Sequence, residues 1–282
     1  MTRVVTSIRD MREASSEARS KGKAVVLVPT MGYLHDGHRA LLKKGRAEGG
    51  LLVMSLFVNP SQFGPAEDFA SYPRDLDRDL KTASEEGVDI VFAPNAGEMY
   101  PPRFSTWVEV EGLSEKLCGA ARPGHFRGVA TVVLKLFNAV QPQKAVFGLK
   151  DFQQFRVIRK MARDLDLPVE IIGVETVREA DGLAMSSRNS YLTPVERMAA
   201  RAIPASITAA REAVGAGVRE SRIIIEKVKK IIEGEPLAVI EYIRVCDGES
   251  LEDTEITSSG SVLFLAVRIG KARLIDNTKL VQ

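Results

Sequence analysis

The sequence predicts an α/β protein in which a doubly wound parallel sheet is followed by a smaller α+β domain. Short apolar runs rich in Val, Ile and Leu alternate with segments of helical periodicity as far as about residue 177. Runs that are apolar throughout are typical of parallel strands covered by helices, and the alternation indicates a Rossmann-like arrangement. Beyond that point, helices are followed by strands. We therefore place a Rossmann-like domain at residues 1–177 and an α+β domain at residues 178–282.

The elements of the first domain follow from these patterns. Strands are expected at residues 24–30, 51–58, 88–94, 144–149 and 169–174, and helices at residues 37–48, 73–87, 129–141 and 151–165. Each strand is expected to be buried on both faces, because none of these runs alternates between apolar and polar residues. A length of 282 residues agrees with two domains of roughly 150 residues each.

The second domain opens with a helix signal at Thr193. Thr193 is a candidate N-cap, Pro194 would take the first helical position, and Glu196 would complete a capping box. Helices are expected over residues 193–214 and 219–234, and antiparallel strands over residues 238–248, 261–270 and 272–278. Two domains leave a cleft, a common place for a small-molecule site, over which we expect the smaller domain to close.

Charge and cysteine content exclude several classes of protein. With 39 basic and 37 acidic residues the net charge is +2, which gives no broad field for nucleic acid or an anionic membrane. Cys118 and Cys246 form neither a disulfide framework nor a zinc ribbon and fit a reducing compartment. No apolar run is long enough to span a bilayer, and the first residues lack a secretory signal. We expect a cytoplasmic protein.

Two of the three histidines, His35 and His38, follow the strand at residues 24–30 and stand at the start of a helix. Ligands bind open parallel sheets at the carboxyl ends of the strands, and helix N-termini attract phosphate. Gly32 and Gly37 allow a close backbone approach, and two imidazoles could donate hydrogen bonds to phosphate oxygens. A structural helix cap is the alternative for one imidazole. A zinc site is disfavoured, because too few other ligands are present.

Two further segments suit phosphate binding. Lys150 and Asp151 stand where another strand runs into a helix, and a lysine there can reach the β- and γ-phosphates. A solvated lysine beside an Asp151 N-cap is the alternative interpretation. The small, hydroxyl-rich loop at residues 182–193 carries Arg188 between the domains; the alternative here is an ordinary linker. Three such segments in one α/β chain together indicate ATP.

These motifs resemble a known family. His35-Asp-Gly-His38 is similar to the His-x-Gly-His signature of the nucleotidylyltransferase superfamily, and Met185-Ser-Ser-Arg188 to its mobile Met-Ser-Lys-Ser-type loop. Six ordered motifs resemble the pantoate–β-alanine ligase (pantothenate synthetase) family more closely: PTMGYLHDGH, FVNPSQF, YPR, PGHFRGVATVV, KDFQQ and DGLAMSSRNSYL. The resemblance extends from about residue 24 to 193 and continues more weakly beyond.

The resemblance implies an ATP-dependent condensation of pantoate with β-alanine to pantothenate, through a pantoyl adenylate, with release of pyrophosphate and AMP. His38 is the implied proton donor and His35 a phosphate contact, while His38, Lys150 and Arg188 would meet the developing negative charge. Gln62 and Gln154 would hold pantoate. The implied ATP contacts are Met31, Gly32, Tyr33, Leu34, His35, Asp36, Gly37, His38, Gly148, Leu149, Lys150, Asp151, Val177, Met185, Ser186, Ser187 and Arg188.

For several residues and partners, the resemblance implies less. The family usually has an acidic or amide residue where this chain has Leu149, so any contact there would come from the backbone. Arg122, His125 and Arg127 would lie near the site with no role assigned, and turn chemistry at residues 123–124 is an equal explanation for their segment. From the residues alone, Gln62 could be an exposed loop amide and Gln154 a surface helix residue. Mg²⁺ should accompany ATP, and the resemblance suggests a homodimer.

The long connection at residues 59–75 has Gly and Pro breaks and could close as a flap over the intermediate.

Two other functions remain open. A different nucleotidylyltransferase would explain the histidines and the serine-rich loop but not the glutamine motifs. An ATP sensor without chemistry is the non-enzymatic alternative. A fragment of an aminoacyl-tRNA synthetase is less favoured, because no basic domain for tRNA is present.

Overall fold

The computed structural model describes residues 2–65 and 67–281, which form two compact units. The first unit comprises Met1–Glu115, Arg122–Leu149 and Gln154–Glu175, and the second comprises Lys116–Ala121, Lys150–Gln153 and Thr176–Gln282. Two short segments that precede residue 176, Lys116–Ala121 and Lys150–Gln153, therefore pack with the second unit. None of the helices in the described part of the chain is both long and apolar enough to cross a bilayer.

The strands form one sheet in each unit. They are β1 (Arg3–Val5), β2 (Val25–Thr30), β3 (Leu51–Leu56), β4 (Ile90–Phe92), β5 (Lys144–Gly148), β6 (Glu170–Val174), β7 (Ala238–Asp247), β8 (Ser261–Ile269) and β9 (Ala272–Lys279). The first sheet is parallel in the order β1-β4-β3-β2-β5-β6. The second is antiparallel in the order β7-β8-β9. The predicted fold class is confirmed.

The helices alternate with the strands of the first sheet and precede those of the second. They are α1 (Ile8–Ser20), α2 (Asp36–Ala47), α3 (Leu76–Glu85), α4 (Ala96–Met99), α5 (Leu117–Ala121), α6 (His125–Val140), α7 (Phe152–Asp164), α8 (Pro194–Ala200), α9 (Ala202–Gly215) and α10 (Ser221–Glu233). Short 3-10 helices lie at Pro60–Gln62, Leu113–Glu115, Leu149–Asp151 and Ser187–Tyr191. Right-handed crossovers through helices are the usual connection between parallel strands.

Strands β2 and β3 form the centre of the first sheet, and most of their residues are buried. Leu27, Leu52 and Met54 are completely inaccessible to solvent. Strand β6 differs from the expectation, because none of its residues is fully buried. It ends the sheet and pairs only with β5, so its apolar sequence does not reflect a central position. Strand β1 and helix α1 were not expected, since a three-residue strand and a mostly polar helix give little apolar signal.

The second unit is built around β8, which is buried along most of its length. Ile224, Val228 and Ile232 form one stripe of α10 and pack in the same core as Leu263 and Leu265 of β8. Burying such side chains stabilises the unit by roughly 1.5–3 kcal/mol each. The helix expected over residues 193–214 is instead two helices, α8 and α9, with a break at Arg201.

The predicted capping box at the start of α8 is confirmed. Thr193 Oγ1 accepts a hydrogen bond from the backbone N–H of Glu196 at 3.3 Å, and Glu196 Oε2 accepts one from the N–H of Thr193 at 2.8 Å. The cap satisfies two amide groups that the first turn of a helix leaves without intrahelical partners.

The turn between α2 and β3 offers a stability test with a matched control. Gly49 and Gly50 both have positive φ, 85° and 68°. A Cβ at Gly50 would lie 1.7 Å from the Ala24 carbonyl oxygen, whereas a Cβ at Gly49 would meet nothing within 4 Å. We expect Gly49→Ala to cost about 1–2 kcal/mol through the backbone alone. Gly50→Ala should cost about 1–3 kcal/mol more, because the strand must shift.

Urea titrations of both variants beside the wild type measure this difference. A loss for Gly50→Ala no larger than that for Gly49→Ala would contradict the close approach to Ala24.

Candidate active site

The loop that follows β2 is folded around a buried carboxylate. Gly32 and Tyr33 both have positive φ, 88° and 53°. Asp79 of α3 accepts hydrogen bonds from the backbone N–H groups of Tyr33 and Leu34, each at 2.8 Å. A Cβ at Gly32 would lie 2.8 Å from Asp79 Oδ2, so only glycine lets the loop approach this carboxylate. The carboxylate therefore fixes the backbone that leads into α2.

Asp79 is only 1% exposed, and sequence reasoning missed it. Burial raises its pKa, while the hydrogen bonds from Leu34 and Tyr33 act in the opposite direction. A signal does exist in the sequence: residue 79 shares a helix face with Thr82 and Ala83, which are buried as well. Among the many charged residues of α3, that face alone marks this aspartate as internal.

Arg78 secures the same loop from outside. Its guanidinium donates to the Leu34 carbonyl at 3.2 Å and lies 5.0 Å from the centre of the Tyr33 ring. A guanidinium over an aromatic face adds a cation–π attraction to the hydrogen bond. Two consecutive side chains of α3, one buried and one at the surface, thus hold the segment between β2 and α2.

His35 and His38 cap α2 reciprocally. His35 Nδ1 accepts from the backbone N–H of Gly37 at 3.1 Å, and His38 Nδ1 accepts from the backbone N–H of His35 at 3.3 Å. The two ring centres lie 4.1 Å apart. The cap that was the structural alternative is therefore present in both imidazoles, and in each ring it is made by Nδ1. Because each Nδ1 accepts, each neutral ring carries its hydrogen on Nε2.

Gln62 ends the 3-10 helix that follows β3, and the alternative of an exposed loop amide is wrong, because the residue is only 9% exposed. Its Oε1 accepts from Asn59 Nδ2 at 3.1 Å, and its Nε2 donates to the sulfur of Met31 at 3.2 Å. Asn59 also donates to the Gly128 carbonyl at 3.2 Å and accepts from the Tyr100 hydroxyl at 2.8 Å. The structure thus brings two predicted residues, Gln62 and Met31, into direct contact.

Arg122 and His125 lie at the start of α6 and hold the backbone of the same glutamine. His125 Nδ1 donates to the Gln62 carbonyl at 2.8 Å, and Arg122 donates to that carbonyl at 3.3 Å. The Arg122 guanidinium also lies 3.0 Å from His125 Nε2, which must accept because a guanidinium only donates. His125 is therefore the opposite tautomer of His35 and His38. Arg127 instead lies over the Trp107 ring, 4.7 Å from its centre.

Two adjacent glutamines in the segment after β5, Gln153 and Gln154, have different environments. Gln153 is buried, accepts from the Cys118 backbone N–H at 2.9 Å and donates to the Lys116 carbonyl at 2.7 Å. Gln154 is half-buried, and its amide has no hydrogen-bonding partner among the residues that the structure describes. The side chain of Leu149 packs over Gly173 of β6, where its Cδ2 would be 2.8 Å from an added Cβ. A leucine at 149 therefore has a packing role of its own.

Residues 177–189 of the second unit form a short antiparallel turn. The Met185 N–H donates to the Val177 carbonyl at 2.9 Å, so these two predicted ATP contacts face each other. Ser186 caps the following 3-10 helix by accepting from the Arg188 N–H at 3.3 Å. Asn189 donates to the Ala184 carbonyl at 3.1 Å. Backbone and side-chain hydrogen bonds therefore define the conformation of this segment.

Strand β9 fixes both parts of the site that belong to the second unit. Asp276 is almost fully buried and receives two hydrogen bonds from Arg178, at 2.7 and 2.9 Å. The pKa of Arg178 is raised, chiefly by these hydrogen bonds. The next residue, Asn277, donates from Nδ2 to the Lys150 carbonyl at 2.9 Å. Neighbouring residues of one strand thus hold the Val177–Met185 turn and the backbone of Lys150.

The predicted site residues divide between the units. The first unit carries Met31, Gly32, Tyr33, Leu34, His35, Asp36, Gly37, His38, Gln62, Gly148, Leu149 and Gln154; the second carries Lys150, Asp151, Val177, Met185, Ser186, Ser187 and Arg188. Over the described ranges, 2–65 and 67–281, no group of three or more His, Cys, Asp or Glu side chains is placed to hold a metal ion. Asp79, Asp276 and Asn277, which hold the backbone or a side chain next to predicted site residues, belong to no motif.

Comparison with known proteins identifies the relatives of this chain. A family model described as pantoate-beta-alanine ligase matches residues 3–279. The chain is 52% identical over 279 residues to the pantothenate synthetase of Syntrophotalea carbinolica, covering 99% of each protein. It is also 52% identical, over 278 residues, to that of Geobacter sulfurreducens, covering 99% of this chain and 98% of the other.

Comparison with solved structures leads to the same family. The pantothenate synthetase of Thermus thermophilus superposes with a TM-score of 0.94 at 45% identity, covering 99% of this chain and 100% of that one. The pantoate-beta-alanine ligase of Francisella tularensis, in complex with beta-gamma ATP and beta-alanine, superposes with a TM-score of 0.80 at 30% identity, covering 99% of this chain and 98% of that one.

The histidine tautomers can be measured directly, since the chain has only 3 histidines. Above the ordinary histidine pKa of about 6.5, long-range ¹H–¹⁵N spectra of the imidazoles should show two Nε2–H rings and one Nδ1–H ring. His125→Asn should remove the Nδ1–H ring and leave the other two unchanged. An Nδ1–H tautomer at His35 or His38 would contradict the reciprocal cap.

Proposed function

Since the chain belongs to the pantoate–β-alanine ligase family, we propose that it condenses (R)-pantoate with β-alanine to pantothenate, using ATP and releasing AMP and pyrophosphate. The observation that carries the proposal to this chain is the pair of Nε2–H imidazoles at the first turn of α2, beside the carboxyl end of β2. Phosphate is favoured at such a helix start, and these rings add two hydrogen-bond donors to it.

The chemistry needs an activated acid. A carboxylate and an amine mixed in water remain ions, so one carboxylate oxygen of pantoate first attacks the α-phosphorus of ATP. The bond from the α-phosphorus to the bridging oxygen breaks, and pyrophosphate leaves. The neutral amine of β-alanine then attacks the acyl carbon of the pantoyl adenylate, AMP leaves with the electron pair of the broken C–O bond, and the amine loses a proton.

Negative charge builds on the bridging and pyrophosphate oxygens in the first step. His35 and His38 stabilise it as neutral hydrogen-bond donors through Nε2, because protonation at Nδ1 would break the cap of α2. His38, the implied proton donor, thus acts through its Nε2–H. Lys150 and Arg188 contribute full positive charges. Losing one preorganised donor of this kind typically lowers the rate about 10²–10³-fold.

The remaining ATP contacts follow the family resemblance. Backbone groups of Met31 to His38, of Gly148 to Asp151 and of Met185 to Arg188 line the nucleotide, with Val177 near the adenine. Leu149 contributes only its backbone, because its side chain packs over Gly173. Mg²⁺ would enter with ATP and neutralise part of the phosphate charge, held mainly by phosphate and water oxygens, the ligands that it prefers. A homodimer in the cytoplasm is part of the same proposal.

Gln62 and Gln154 bind pantoate. A neutral amide donates to the carboxylate and accepts from a hydroxyl without holding the charge so tightly that adenylation is slowed. Among the residues that the structure describes, Gln62 Nε2 donates only to a thioether sulfur, a weak acceptor that a carboxylate or hydroxyl oxygen readily replaces. Over residues 2–65 and 67–281 the Gln154 amide has no hydrogen-bonding partner that pantoate would have to displace, in contrast to the Gln153 amide.

The proposal is tested by AMP formation with ATP, Mg²⁺, pantoate and β-alanine, each omitted in turn. We expect AMP and a product of the mass of pantothenate only when all are present, because β-alanine is needed to release AMP from the adenylate. When only β-alanine is omitted, pyrophosphate should still form from ATP and pantoate, at up to one equivalent per site. ATP binding without turnover would favour the sensor, and AMP transfer to a nucleotide substrate would favour another nucleotidylyltransferase.

The neighbouring glutamines give a matched pair of variants. Gln154→Ala should raise the KM for pantoate about tenfold and leave the KM for ATP within about twofold, the effect of one or two lost hydrogen bonds. Gln153→Ala removes a buried amide that holds Cys118 and Lys116, so it should lower the melting temperature without favouring one substrate. Equal changes in both KM values for Gln154→Ala would defeat its assignment to pantoate.

A further inference from the structure

We propose that Glu67, Arg122 and His125 form a latch that positions Gln62 for pantoate, so that all three are positioning residues of the reaction. The inference rests on the proposed function, in which Gln62 binds pantoate. It assigns a role to two residues of the PGHFRG segment and to a glutamate that no motif includes.

The 3-10 helix that carries Gln62 depends on contacts from outside. It spans only Pro60–Gln62, and its own backbone hydrogen bonds are long: the Gln62 N–H lies 3.4 Å from the Asn59 carbonyl, and the Phe63 N–H lies 3.3 Å from the Pro60 carbonyl. Isolated turns of this length are not stable in water. The orientation of Gln62 is therefore set by the groups that bind its backbone and its side chain.

His125 and Arg122 bind the backbone. The Gln62 carbonyl accepts from His125 Nδ1 at 2.8 Å and from the Arg122 guanidinium at 3.3 Å. Arg122 also donates to His125 Nε2 at 3.0 Å, which keeps the hydrogen of the imidazole on Nδ1, where the carbonyl needs it. One guanidinium thus supports the carbonyl both directly and through the imidazole.

Glu67 fixes the guanidinium. Its two oxygens accept from Arg122 Nε at 2.7 Å and from Arg122 Nη2 at 2.5 Å, a bidentate pair with a defined plane. The side chains are only 14% and 25% exposed, so the pair is not a solvated surface contact. Burial raises the pKa of Glu67, but the hydrogen bonds and charge of Arg122 outweigh it, and the pKa is lowered overall. The carboxylate therefore stays ionised as the guanidinium requires.

The far side of Gln62 shows what the latch accomplishes. Residues of α6 hold the carbonyl, and the side chain extends towards Asn59 and Met31. Asn59 donates to Gln62 Oε1 at 3.1 Å. The sulfur of Met31, in the loop that follows β2, lies 3.2 Å from Gln62 Nε2. Rotation of the backbone at residue 62 would swing the amide away from Met31. The latch thus selects the rotamer in which Nε2 faces the loop proposed to bind ATP, where adenylation of pantoate must occur.

Two latch variants and one control test this. Arg122→Lys keeps the positive charge but lacks the planar guanidinium, whose several N–H groups contact Glu67, His125 and the Gln62 carbonyl at the same time. Glu67→Gln removes the charge that holds the guanidinium. Glu241→Gln is the control, because the Glu241–Arg273 pair is similarly covered, at 19% and 16% side-chain exposure, and lies in the second unit. The readouts are kcat and the KM values for pantoate and ATP in the complete assay, with melting temperatures.

Both latch variants should raise the KM for pantoate about fivefold to tenfold, with the KM for ATP and kcat within about twofold, as expected for lost ground-state positioning. Glu241→Gln should change neither KM. In a Gln62→Ala background, the latch substitutions should have no further effect on the KM for pantoate, because the residue through which they act is gone. A purely structural role would lower the melting temperature and leave the ratio of the two KM values unchanged.

An unchanged KM for pantoate in both variants, or a full additional increase in the Gln62→Ala background, would overturn the latch while leaving the proposed function intact. If Arg122→Lys does not fold, Glu67→Gln decides alone. If the wild-type chain forms no pantothenate, the proposed function fails and the inference fails with it.

Discussion

The site depends first on the carboxylate of Asp79. A loop with positive φ at two successive residues, Gly32 and Tyr33, needs compensation, since left-handed backbone at a non-glycine residue costs about 1–2 kcal/mol. Asp79 provides it by taking the N–H groups of Tyr33 and Leu34, which would otherwise point into the protein without a hydrogen bond. That turn delivers His35 to the N-cap of α2. The position of His35 therefore depends on a carboxylate 44 residues further along the chain.

The reciprocal cap then limits what the imidazoles can do. A histidine with both nitrogens available could exchange protons near neutral pH, but here each Nδ1 belongs to a backbone N–H. The rings are held with the hydrogen on Nε2, the state that their proposed role as donors to phosphate requires. Structural and catalytic interpretations of a histidine are often treated as alternatives, but a cap made through Nδ1 is compatible with the role proposed for Nε2 of His35 and His38.

Much of this could be predicted from the sequence. Continuous apolar runs specify the central parallel strands, and ordered motifs indicate the loops at their ends, because local composition carries both signals. Strand β1 and the burial of β6 could not be predicted, since position within a sheet depends on which strands pair. Asp79 and Glu67 were missed for a related reason: the helix face of Asp79 indicates burial, but the role of either carboxylate depends on a partner 45 or more positions away.

Strand β9 shows how such distant partners organise the second unit. The sequence of β9 resembles that of any other amphipathic edge strand. Asp276 nevertheless binds the Arg178 guanidinium, and Asn277 binds the carbonyl of Lys150. Successive side chains of a strand point to opposite faces, so one strand can brace two segments that approach it from different sides. A flexible lysine becomes a positioned charge only when its backbone is anchored in this way. In the proposed mechanism, the motif therefore supplies the charged group of Lys150 and strand β9 anchors the backbone that carries it.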